Sequence, residues 1–305
     1  MKPAFSYNHF SSFLSIETNT MHSIEEKENK LVLSSLSRYY KPVNATGFSV
    51  KYVLDGTEVY TLGEEQYVVG PGSYLLSNRY KDGQVEIESN QPVKGICITL
   101  SPDLITSVVA SMRRPDTSFP DEELGQFFNS DLFPDDQYHA QETHLGGALH
   151  ALSQKLENNR LEPDGLGIEF FYSLAEHIIR DQVPVFKQLQ AIPSVKTATK
   201  KELLKKIRKG KAFIDNTFTS AIDVELVAKQ ACMSEYHFFR LFKKTTGITP
   251  HQYILQKRLE KAKQLLQQQI PVSDTALHCG FADVFSFSKS FKKQFGINPS
   301  RFMEK

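Results

Sequence analysis

The chain of 305 residues is long enough for about two domains of ordinary size, and its 40% hydrophobic and 23% charged content excludes a disordered or fibrous chain. The net charge of +1 hides an asymmetry. Residues 196–305 carry 21 Lys and Arg against 9 Asp and Glu, a net of +12, while residues 1–195 carry 15 against 26, a net of −11. Such a split points to a polyanionic partner for the basic half. Three widely spaced cysteines, Cys97, Cys232 and Cys279, argue against a disulfide framework. Met1 to His9 has no apolar core of a signal peptide, and no run approaches the length of a membrane span. The expectation is a cytoplasmic protein without a membrane partner.

From about Leu31 to Leu100 the pattern is strand-like. Phe48 to Leu54 alternates with period two, and Asp55-Gly56 then predicts a hairpin turn. Thr57 to Leu62, Gln66 to Val69 and Ser73 to Leu76 follow between Gly and Pro punctuation, with further strands expected at Gln84 to Glu88 and Lys94 to Leu100. Short, closely spaced strands of this kind build an antiparallel sandwich or small barrel. Barrels of this size enclose packed side chains or one small ligand.

Ser101-Pro102 reads as a helix start, with the helix running to about Met112. Arg113 to Tyr138 is acidic and Pro-bearing, and is expected to be loop with one or two short strands. Two helices follow, 143–158 with Leu145, Leu149, Leu152 and Leu156 on one face, and 166–182 with Phe170, Phe171, Leu174, Ile178 and Ile179. The turn Pro163-Asp164-Gly165 makes them an antiparallel hairpin, whose apolar faces serve either the domain core or a homodimer contact. Pro184 and Pro193 mark 183–199 as a linker. A basic amphipathic helix over Thr199 to Thr217 opens the C-terminal part, with Gly210 inside it.

The C-terminal part carries one pattern twice. Arg240 to Pro250 is answered by Lys289 to Pro299, forty-nine positions later. In the first copy Asp223 caps a short helix, Cys232-Met233 form the turn, and Ser234 caps a second helix to Thr246. In the second copy the helices are Val272 to Cys279 and, after Asp283, a helix to about Phe295. A helix from Pro250 to Gln268 bridges the two. Helix, short turn and helix is the helix-turn-helix layout, giving units at about 223–246 and 272–295.

The second helix of each unit has two faces. Phe238, Leu241 and Phe242, like Phe287, Phe291 and Phe295, form the core side. The opposite stripes are Tyr236, Phe239, Arg240 and Lys243 in one copy, and Val284, Phe285, Ser288, Lys289 and Lys292 in the other. A helix that reads DNA needs this separation, one stripe buried and one free for the major groove. Tyr236, Phe239, Arg240, Val284, Phe285, Ser288 and Lys289 are therefore the candidate base-facing residues. Lys243, Lys244, Lys292 and Lys293 are the candidate phosphate contacts. The bridging helix spans roughly 27 Å at about 1.5 Å per residue, compatible with major grooves recurring about every 34 Å.

Residues 203–303 resemble the AraC/XylS family of transcription regulators. The matching residues are Ala228, Met233-Ser234, Arg240 to Lys244, Gly247 to Pro250, Arg258 to Ala262, Ala276, Gly280-Phe281, Phe287 and the segment Phe291 to Pro299. More weakly, Gly70 to Leu76 and Ile96 to Leu104 are similar to that family's cupin-like regulatory domain. The resemblance implies an α+β multidomain protein. Its N-terminal part (1–182) would be a cupin-like antiparallel β-barrel with a helical hairpin, and its C-terminal part (200–305) an all-α domain with two helix-turn-helix motifs. It also implies a promoter-binding regulator, an activator by likeness, with RNA polymerase as a further partner and a small-molecule effector of unknown identity.

The pattern departs from the family at Cys232, where glycine is usual, at Phe239, which is commonly polar, and at Lys289, a frequent arginine. The first unit is thus expected to read sequence and the second mainly to hold on. No histidine lies between His22 and His139, so the strands lack the ligands of a metal-binding cupin, and no metal, cofactor or catalysis is expected. The readings from other classes are a cupin-type enzyme with a helical appendage and a non-specific nucleic-acid binder.

Overall fold

The computed structural model describes residues 19–45, 47–78, 80–112, 121–158 and 166–303. The chain divides into two compact units, Met1–Phe186 and Lys187–Lys305. The amino-terminal stretch, Arg113 to Pro120 and the turn expected at Pro163-Asp164-Gly165 lie outside the described residues.

The first unit is an antiparallel sheet with flanking helices. Its strands are β1 (Thr20–Glu26), β2 (Asn29–Ala45), β3 (Phe48–Asp55), β4 (Glu58–Leu62), β5 (Glu65–Val69), β6 (Ser73–Ser77), β7 (Tyr80–Leu100) and β8 (Asp136–His139). The sheet is built on a ribbon of the two longest strands. The 17-residue β2 pairs with the 21-residue β7 from Lys30↔Thr99 to Ala45↔Tyr80, with bulges after Leu36 and Val43. The separate strands expected at 84–88 and 94–100 are one continuous strand.

The other side of β7 corrects the hairpin expected at Asp55-Gly56. β3 and β4 do not pair with each other. β3 pairs with the 94–100 end of β7 and with β6, whereas β4 pairs with residues 84–86 of β7 and with β5. The two strands lie end to end along β7, and Gly56 is the corner between them. Its φ is +81°, and a Cβ there would approach Val93 Cγ2 to 2.7 Å, so only glycine fits. A turn dipeptide reports a local reversal, and long-range pairing decides which neighbour each strand meets.

The helices of this unit are α1 (Pro102–Ser111), α2 (Asp121–Phe128), α3 (His144–Glu157) and α4 (Ile168–Ala191). The second corrects the reading of 113–138, whose described part begins with a helix rather than loop. Phe127 and Phe128 of that helix join Phe48, Phe133 and Phe186 in a ring cluster with centroids 5.0–5.9 Å apart. The cluster covers Phe48 at the start of β3, and Phe48 to Val53 are all buried despite their alternating pattern.

The leucine face of α3 is spent inside the domain, since Leu145, Leu149, Leu152 and Leu156 are all buried. α4 runs beside it antiparallel. The Asp181 carboxylate accepts hydrogen bonds from the backbone N–H of His144 and Leu145 at 3.0 and 2.9 Å, closing the start of α3. α4 also overruns the expected linker start at 183, continuing through Pro184 to Ala191. Interior proline costs about 3 kcal/mol. Burying Val185, Phe186 and Leu189 returns about 1.5–3 kcal/mol each, enough to carry the helix past it.

The second unit is helical: α5 (Thr197–Thr217), α6 (Val224–Gln230), α7 (Glu235–Thr246), α8 (Pro250–Gln267), α9 (Val272–His278), α10 (Val284–Phe295) and α11 (Pro299–Met303). α5 begins slightly earlier than its pattern predicts, and it buries Leu204, Ile207, Gly210 and Ile214. Gly210 is there for closeness: a Cβ would stand 2.5 Å from the Phe238 ring.

Candidate nucleic-acid interface

Each unit of the repeat is set up by its caps. The Asp223 and Asp283 side chains accept from the backbone N–H of Leu226 and Ser286 at 2.8 and 2.6 Å, starting α6 and α10. Ser234 holds the equivalent position before α7, though without a side-chain cap bond. Gly247 and Gly296 end α7 and α10 at φ +82° and +75°, returning their N–H groups to the carbonyls of Lys243 and Lys292. Thr249 and Gln252 form a reciprocal capping box that launches α8.

The two turns are closed by the same bonds. Met233 N–H donates to the Ala228 carbonyl and Phe281 N–H to the Ala276 carbonyl, both at 3.0 Å. Cys232 and Gly280 precede them at φ +52° and +77°. The repeat is thus offset by 48 residues through the turn and by 49 after it, with Ala282 as the added residue.

Phe238, Leu241 and Phe242 of α7 are buried in one cluster, and Phe287 and Phe291 of α10 in another. The outward stripes separate as their spacing predicts. On α7, Tyr236 is 70% exposed, and Arg240, Lys243 and Lys244 are exposed. Phe239 is only half-buried and packs on the edge of the first cluster, so part of its ring serves the fold. On α10, Phe285 is 78% exposed and Val284 42%; Lys289, Lys292 and Lys293 are exposed and Ser288 is partly covered. Val284 and Phe285 thus leave adjacent apolar surface open at the start of α10.

Asp215 ties α5 to the bridging helix α8. Its carboxylate receives Lys211 at 2.9 Å, Lys257 at 3.1 Å and the Tyr253 hydroxyl at 2.7 Å. Burial by itself would raise this carboxyl, but the hydrogen bonds from Lys211 and Tyr253 hold it below its usual range.

A second group, absent from the motif-based reading, lies in the sheet. A cavity of about 170 Å³ is lined by Leu36, Tyr39, Val85 and Ile87 and by the polar Lys51, Glu58, Tyr60 and Cys97. Glu58 is 4% exposed and Lys51 9%. The Tyr60 hydroxyl donates to Glu58, and Lys51 Nζ lies 2.7 Å from Cys97 Sγ. Burial pushes the Glu58 carboxyl up, against the hydrogen bond from Tyr60 and the nearby Lys51 charge. The available sequence signal was a lysine inside the otherwise apolar Ser49-Val50-Lys51-Tyr52-Val53. Among the described residues no helix is long and apolar enough to cross a membrane.

Comparison with known proteins matches residues 227–305 to a helix-turn-helix domain and residues 38–175 to the AraC-like ligand binding domain. The "Probable transcriptional regulator LumQ" of Photobacterium leiognathi is 41% identical over 91 residues, 30% of this chain and 37% of the relative. The "Uncharacterized HTH-type transcriptional regulator YbfI" of Bacillus subtilis is 24% identical over 261 residues, 85% of this chain and 84% of the relative. The C-terminal domain of AraT, a response regulator from Geobacillus stearothermophilus, is 27% identical with a TM-score of 0.32, covering 32% of this chain and 84% of that one. The chain spans little over a third of the first curated relatives it matches, 37% and 34%. The helix-turn-helix match takes in α7 to α11 and most of α6, and the other match takes in the end of β2 and β3 to β8, so the chain pairs an AraC-like ligand binding domain with a helix-turn-helix domain.

Proposed function

We propose that the protein is a sequence-specific regulator of transcription that binds double-stranded promoter DNA. Its two helix-turn-helix units enter successive major grooves. The observation that carries this reading is the matched pair of exposed stripes on α7 and α10, each backed by its own buried aromatic core. Tyr236, Phe239, Arg240, Val284, Phe285, Ser288 and Lys289 face the bases in this reading, and Lys243, Lys244, Lys292 and Lys293 face phosphates. The net of +12 over residues 196–305 supplies the attraction to the duplex. Competition between the flanking DNA of its own gene and random duplex tests it: equal affinity for both removes sequence-specific regulation and leaves a general nucleic-acid binder.

In the same reading the sheet domain (1–182) senses a small molecule in the Lys51–Glu58 cavity or dimerises, 183–199 connects it to the DNA-binding domain, and the protein acts as a cytoplasmic, nucleoid-associated activator in contact with RNA polymerase. It has no catalytic role. A homodimer through helices 143–158 and 166–182 would use the groove lined by Ala148, Leu152, Lys155, Phe170, Ser173 and Leu174. Sedimentation of the purified chain decides between monomer and dimer.

A further inference from the structure

The two helix-turn-helix units have cores that share no residue, and the bridging helix α8 passes from one to the other. Ile254 is buried in the first core, Leu259 and Ala262 in the second. Arg258 stands at that change of partner. Its Nε donates to the Phe218 carbonyl at 2.7 Å and its Nη2 to the Ser220 carbonyl at 2.9 Å. Phe218 is the C-cap of α5, a helix with no basic residue in its last turn, so Arg258 brings from another helix the cation that a helix C-terminus favours.

The segment held in this way also reaches the second unit. Gly280, in the turn between α9 and α10, sits so close to Thr219 that a Cβ on it would come within 2.4 Å of the Thr219 carbonyl oxygen. Phe218 and Ile222 also pack on the first core. Residues 218–220 are therefore gripped by the first core, by the bridging helix and by the turn that precedes the second reading helix.

We infer that Arg258 is a positioning residue that fixes the separation and rotational phase of α7 and α10, restricting the protein to operators of one half-site spacing. This rests on the reading of those helices as DNA-contacting. One inserted base pair moves a half-site by about 3.4 Å and turns it by about 35°. A clamped pair of helices cannot follow that movement, whereas a pair joined by α8 alone has the freedom to do so.

The test starts with duplexes selected by the full chain from a randomised pool. Three probes are then titrated: the selected duplex, the same duplex with one base pair inserted between its protected half-sites, and a duplex keeping only the half-site of the first unit. The wild-type protein should lose about tenfold or more on the insertion, the scale of losing one half-site's base contacts. Arg258→Ala should bind the single half-site as wild type does, bind the selected duplex more weakly, and show an insertion penalty of about twofold or less, because the register is no longer enforced. Gly280→Ala, which pushes the turn off Thr219 while leaving Arg258 intact, should narrow the penalty in the same direction. A wild-type insertion penalty in both variants overturns the inference, as does an equal loss on all three probes, which marks a general folding role. Failure of the wild-type chain to enrich any sequence overturns the DNA-reading interpretation itself; failure of the inference alone leaves that enrichment intact.

Discussion

The Arg240 guanidinium donates a hydrogen bond to the Tyr236 hydroxyl at 3.1 Å and lies 5.4 Å from the centroid of the Tyr236 ring. The two residues are one helical turn apart on the exposed stripe of α7, so the pairing follows from their i, i+4 spacing. It orders a long side chain before any duplex arrives, which reduces the rotamer freedom lost on binding. Lys289, the equivalent on α10, presents a point charge in place of a planar fork.

Arg240→Ala should therefore lower affinity for the selected duplex by about 1–3 kcal/mol and relax preference at one or two base pairs. Binding of single-base variants of the duplex measures both. Uniform loss across all sequences would make Arg240 a phosphate contact instead.

Lys293 lies one helical turn along from Lys289, exposed in the last turn of α10. Lys293→Ala should weaken binding to every duplex alike. The slope of log affinity against log salt should flatten by about one unit. An unchanged slope would remove Lys293 from the phosphate contacts.

Cys232 holds φ +52° at the first turn, where Gly280 serves the second at +77°. A non-glycine residue pays about 1–2 kcal/mol in the left-handed region, partly offset by the extra unfolded-state freedom of glycine. Cys232→Gly should stabilise the helical unit by about 0.5–1 kcal/mol, read from its denaturant midpoint, with DNA affinity unchanged.

Asp181 has a side chain only 8% exposed and accepts from two backbone N–H groups and from His144 Nδ1 at 2.7 Å. Asp181→Ala leaves those donors at the start of α3 without their acceptor. The sheet domain should lose about 2 kcal/mol in chemical denaturation. A change below about 0.5 kcal/mol would mean that water replaces the carboxylate fully.

Glu58 binds its proton more tightly when folded than when unfolded, because burial raises its pKa above the ordinary value near 4.5. Its contribution to stability is greatest below that value and declines as pH rises through the folded pKa. Glu58→Gln should flatten the pH dependence of sheet-domain stability above pH 4.5, measured by denaturation at a series of pH values. Identical pH profiles for the two proteins would sink this assignment.

The helical half was legible because its signals are local. A cap, a four-residue turn and a buried stripe each depend on residues within a few positions, so Asp223, Thr249, Asp283 and the Phe238–Leu241–Phe242 face lie where their spacing puts them. The sheet half was legible only as strands. Asp55-Gly56 marks a reversal in either topology, and only the register of β7 turns it into a corner between two strands laid end to end.

The same limit explains Pro184 and Gly210. Proline reads as a stop and glycine as a weak helix former, yet α4 passes the first because of what it buries, and α5 needs the second because Phe238 approaches it. By itself the sequence determined the duplicated units, the caps at Asp223 and Asp283 and the two faces of α7 and α10, since helical periodicity assigns faces without knowledge of the partner. Only the tertiary structure decided which strands adjoin, that Lys51, Glu58 and Cys97 share a cavity, and that Arg258 holds the end of α5. Those contacts join residues far apart in the chain, and packing, unlike periodicity, is fixed only when both sides are present.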